Sequence, residues 1–119
     1  MNIFNNDLER LNFEDFLWIL FIGLSLLNIV GDNLLKEFII DNNAEDSVNA
    51  NNIFLFVLVV TFFIYLYFFI RNFNALERAS EENRRLLFIK LLGSAFLIAG
   101  IICLIYFQSK QTNFIGTPA

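Results

Sequence analysis

Three apolar stretches, residues 16–30, 53–70 and 86–107, set the terms on which this chain can fold. A helix needs about 20 residues to cross a hydrocarbon core, and the second and third stretches are close to that length or beyond it. A chain of 119 residues in water would have no second surface against which to hide them. Charged residues make up 17% of the chain, against about 25% in soluble domains, and the shortfall lies almost wholly within these stretches. The chain is therefore read as all-α, an integral membrane protein with three transmembrane helices and a short amphipathic N-terminal segment.

A single membrane domain, 1–119, divides as follows. Residues 1–12 are a polar lead in which Phe4, Leu8 and Leu11 fall at helical spacing and suit a membrane surface. An acidic leader and no small-residue cleavage pattern predict that the first apolar stretch is retained rather than cleaved as a signal. The first helix is expected over 13–40, with Asn12 as N-cap and Glu14 and Asp15 in its first turn, where the helix dipole favours acids. Residues 31–40 alternate polar and apolar pairs. They either extend a tilted helix or bend at Gly31 to lie in the interface. The Asn-rich, acidic segment 41–52 reads as an exposed loop. The second helix, 53–71, is apolar on every side and predicts a helix facing much lipid. A connector, 72–80, leads through Ser80 as N-cap into a third helix, 81–107. A tail, 108–119, carries Gly116 and Pro118, both helix breakers, and is expected to be loosely ordered.

Basic residues concentrate on the cytoplasmic side of membrane proteins. Arg71, Arg78, Arg84 and Arg85 surround the second connection, whereas Lys36 is alone among acids in the first. This predicts a cytoplasmic N-terminus and a C-terminus on the opposite side. A layout in which the first stretch only dips into the membrane is the competing arrangement. The arginines, with Lys90 snorkelling to the same headgroups or pairing with Glu14 or Asp15, are read as topology or lipid contacts.

Polar groups in lipid normally turn toward protein or a water-filled cavity. On a helical wheel, Glu14, Trp18, Phe21, Ser25, Asn28, Asp32 and Lys36 share an arc of about 80°. This polar seam is expected to be interhelical glue, or alternatively a path for an ion or small solute. Gly93, Ala95, Ala99, Gly100 and Cys103 form a small-residue side on the third helix, suited to close helix packing within the chain or to an oligomer contact. Gly23 and the Ala95–Ala99 pair fall at similar depth, which predicts contact between the first and third helices. Cys103, the single cysteine, is expected as a small packing residue.

The chain has no histidine and shows no nucleophile–base pair or metal-ligand set, so no catalytic, cofactor or metal residues are assigned and enzymatic activity is not expected. A net charge of −4 argues against a nucleic-acid partner. The expected partners are the lipid bilayer and other membrane-protein chains. The leading role is a structural or accessory subunit of a membrane assembly. The alternative is an oligomeric channel or transporter component that uses the seam of Ser25, Asn28 and Asp32.

Overall fold

The computed structural model describes residues 6–110, all of them in helices or the short links between them. Helix α1 is Asp7–Asp41, α2 is Ala44–Glu77 and α3 is Glu81–Lys110. Each is long and apolar enough to cross a membrane. Expectations that fall on Phe4, Gly116 and Pro118 lie outside the described residues.

The helix boundaries differ from expectation, and local capping explains how. Asn6, not Asn12, is the N-cap of α1: its side-chain oxygen accepts from the Glu9 amide at 2.8 Å. Helix α1 runs unbroken through Gly31, so residues 31–40 extend it. It stops at Asn42, which takes the left-handed conformation (φ 55°) that asparagine tolerates better than most residues, and whose amide donates to the Phe38 carbonyl. Asn43 then caps α2 by accepting from the Glu45 amide at 3.0 Å, with Glu45 and Asp46 in the first turn. The expected loop 41–52 is thus a two-residue turn followed by the opening of α2. Arg78, Ala79 and Ser80 make the second link, and α3 continues past the expected end to Lys110.

Helix α2 lies between the other two. It packs against both α1 and α3, while α1 and α3 make no close backbone approach to each other. Of its most apolar window, 28% is buried, against 17% for α1 and 11% for α3. Helix α2 thus takes the middle position, as suits a helix that is apolar all round, while Phe56, Val59, Phe63 and Ile70 remain exposed along it. The expected contact between Gly23 and the Ala95–Ala99 region does not form. Nothing lies within 4 Å of where a Cβ on Gly23 would sit.

The α1–α2 core is built from Leu17, Leu24, Val57 and Ile64, flanked by Phe13, Phe21, Tyr67 and Phe68. At Gly31, α1 receives a side chain of α2. A Cβ there would run into the Phe54 ring, 2.9 Å from Cζ, and Phe54 is completely buried. Helix α3 rests on α2 through Ser94, Ile101 and Gln108.

Candidate functional site

At the end of the bundle where α1 begins and α2 finishes, polar side chains form a continuous chain through all three helices. It starts at Glu14, which is only 6% exposed. A buried carboxylate is costly unless it is both paired and hydrogen-bonded. Here Arg71 Nη1 donates to Glu14 Oε1 at 2.8 Å, and the Tyr67 hydroxyl donates to Oε2 at 3.1 Å. Arg10, one turn before Glu14, brings Nε to 3.8 Å from Oε2. The Arg71 guanidinium also stands over the Phe68 ring, 4.8 Å from its centroid.

From Arg71 the chain turns toward α3. Its Nε and Nη2 donate to Asn72 Oδ1 at 3.3 and 3.0 Å. Asn72 is buried, and its Nδ2 donates to Ser94 Oγ at 2.5 Å. Ser94 in turn donates to the Lys90 carbonyl at 3.1 Å. Helices α1 and α3, which make no close backbone approach, are thus tied through the middle one. At the other end, fully buried Gln108 donates to Asn51 Oδ1 at 2.6 Å, a second polar clamp between α2 and α3.

Because α1 and α3 stand apart, a groove runs between them over α2. One part, a cleft of about 480 Å³, is walled by Trp18, Phe21, Tyr65, Phe68 and Leu97, with Arg71 and Ser94 also on its wall. Trp18 meets Phe21 and Phe68 at 5.7 and 5.6 Å between ring centroids. A second recess, about 240 Å³, takes in Ser25, Asn28 and Thr61 among apolar neighbours.

Several residues singled out from the sequence sit elsewhere than expected. Of the α1 seam, Glu14, Phe21 and Asn28 are buried or half-buried, Trp18 and Ser25 are exposed but border α2 in the cleft and the recess, and Asp32 and Lys36 are exposed. The buried apolar line passes through Leu17, Leu24 and Gly31, rotated by about 80° on the wheel. In an apolar surrounding, interlocking shape rather than polarity selects the packed side, and the Gly31 notch for Phe54 decides it. Ser25 and Asn28 share one recess, whose lining does not include Asp32 or Lys36.

On α3, Ala95 is half-buried, while Gly93, Ala99, Gly100 and Cys103 are exposed. Arg78, Arg84 and Arg85 are exposed beside the second link. Arg71 is half-buried as the partner of Glu14, the residue that the alternative reading of Lys90 had paired with that lysine. A signal for it exists in the sequence. Glu14 and Arg71 lie equal numbers of residues from the Asn42–Asn43 turn, as do Gly31 and Phe54, which is the register of an antiparallel helical hairpin.

Chemically, the cluster is a hydrogen-bonded clamp in which one buried carboxylate meets two arginines. The Ser94 hydroxyl is engaged on both sides, by Asn72 and by the Lys90 carbonyl, an arrangement that holds α3 against α2. No family model matches the chain, and comparison with curated proteins and with solved structures finds no significant match.

Proposed function

We propose that the protein is a three-span integral membrane protein without enzymatic activity, serving as a structural or accessory subunit of a membrane assembly. Its partners are the bilayer and other membrane-spanning chains. The exposed arginines at the α2–α3 link, with Arg10 at the same end, support a cytoplasmic N-terminus and a C-terminus on the far side.

One observation carries the subunit reading. Gly93 and Gly100 lie exposed on α3, and nothing stands within 4 Å of a Cβ built on either. Glycine inside a helix costs about 1 kcal/mol relative to alanine. Facing lipid alone, that cost has no return. Facing another helix, the missing side chains let two backbones approach closely, which is the main source of association between helices in a bilayer. Gly31 shows the same device satisfied within the chain, with Phe54 seated against it.

The test replaces both open glycines by leucine. Native mass spectrometry of the wild type in gentle detergent is expected to show a complex of fixed composition. The Gly93→Leu/Gly100→Leu variant should lose its companion chains, because leucine blocks the approach, while its helix content stays that of the wild type. A wild type that migrates as a bare monomer, or a variant that keeps the same companions, contradicts the reading.

A further inference from the structure

We infer that the cleft between α1 and α3 is a binding site for an anionic phospholipid, with the phosphate at Arg71 and Lys90 and an acyl chain along Trp18, Phe21, Phe68 and Leu97. The inference does not depend on the subunit reading, since the Gly93 and Gly100 positions take no part in the cleft.

Size narrows the occupant first. The cleft, about 480 Å³, is in the range of small-ligand sites, roughly 300–1,000 Å³. An α-helix, about 10–12 Å across, would fill that volume within about one turn. A hydrocarbon chain is slender enough to follow it. The walls agree, being aromatic and aliphatic apart from one end, where Arg71 and Ser94 sit.

Charge narrows it further. Arg71 immediately follows the apolar stretch of α2, and Glu14 and Asp15 immediately precede that of α1, so this end of the cleft stands at headgroup level. A guanidinium has five N–H donors. The Glu14 and Asn72 bonds use three of those on Arg71, and its side chain remains 23% exposed on the cleft wall. Lys90 is exposed and lies one helical turn before Ser94 of the cleft wall, whose hydroxyl donates to the Lys90 carbonyl. The three cations, Arg71, Lys90 and Arg10, outnumber the single buried carboxylate of Glu14; Asp15 beside it is exposed to solvent. A zwitterionic headgroup gains less from this excess of positive charge than an anionic one does.

Trp18 is the only tryptophan in the chain and lies on the cleft wall, so its fluorescence reports the occupant. The full chain is reconstituted in phosphatidylcholine vesicles containing a minor fraction of lipid with brominated acyl chains, which quench tryptophan on contact. Brominated phosphatidylglycerol should quench Trp18 more strongly than brominated phosphatidylcholine at the same mole fraction. Lys90→Gln leaves the Glu14–Arg71 pair intact and should weaken the anionic preference about fivefold, the effect of removing one basic residue near a charged surface. Leu97→Phe, which narrows the cleft, should reduce the preference as well. Equal quenching by the two lipids overturns the inference. So does a preference unchanged in both variants, since that would place its origin in the exposed arginines of the α2–α3 link.

Discussion

Glu14→Ala is expected to cost about 3 kcal/mol of fold stability, the lower end of the range for breaking one side of a buried ion pair. The lower end applies because the Arg71 side chain keeps partial access to solvent, which softens the penalty of leaving it without Glu14. The loss has two sources. Arg71 loses its 2.8 Å partner and the Tyr67 hydroxyl loses its acceptor. Glu14→Gln should lose less, because the amide oxygen can still accept from one of them. The pair itself is a different quantity from the penalty of breaking it. Replacing both members by apolar residues removes the desolvation of two charges, so Glu14→Leu combined with Arg71→Met should recover most of the stability lost by either alone. Unfolding in mixed micelles with increasing dodecyl sulfate, followed by helix content, measures all four proteins. Additive losses in the double variant would show that Glu14 and Arg71 do not act as a pair.

Gly31→Ala is the second large effect. The added methyl group meets the Phe54 ring in a place where the ring has no room to retreat, as Phe54 is fully buried between α1 and α2. Over-packing of this kind costs about 1–3 kcal/mol, and Gly31→Leu should fall at or beyond the upper end. Shape predicts a specific rescue. Phe54→Leu alone leaves a cavity and destabilises, but in the Gly31→Ala background it makes room for the methyl group, so the two changes together should cost less than their sum. The same unfolding measurement checks this. By contrast, Gly23→Ala should be neutral or slightly stabilising, since open space surrounds that position.

The existence of three long helices was legible from the chain because apolar stretches of this length admit few other solutions. Their ends were not, because polar residues continue a helix as readily as apolar ones once caps are in place. The segment 41–52 looks like a loop by composition. Yet Asn43 followed by Glu45 and Asp46 is a helix start, and Asn42 is a helix stop. The order of packing was misjudged for a related reason. An evenly apolar helix looks indifferent to its surroundings, but α2 is the one that serves both neighbours.

The candidate site was legible only in part. In the sequence, the dipole of its own helix suffices to account for Glu14 and the positive-inside rule for Arg71, and each argument concerns one helix alone. Counting outward from the Asn42–Asn43 turn places them opposite each other. The Asn72–Ser94 bond carries no comparable signal, since asparagine and serine occur at many helix positions for local reasons. The α1 seam was placed by following polar residues, whereas Gly31 and Leu24 show that shape governs the contact.

Both arginine-rich and acidic links sit at opposite ends of α2, so the whole account turns on whether α2 carries the chain from one side of a bilayer to the other. Single cysteines introduced by Glu45→Cys and by Arg78→Cys, each in a Cys103→Ala background, can be reacted with a membrane-impermeant maleimide on sealed vesicles. Both positions are exposed at the ends of α2. The account predicts that one reacts before permeabilisation and the other only after it, with position 78 on the cytoplasmic side. Reaction of both positions from the same side would contradict it.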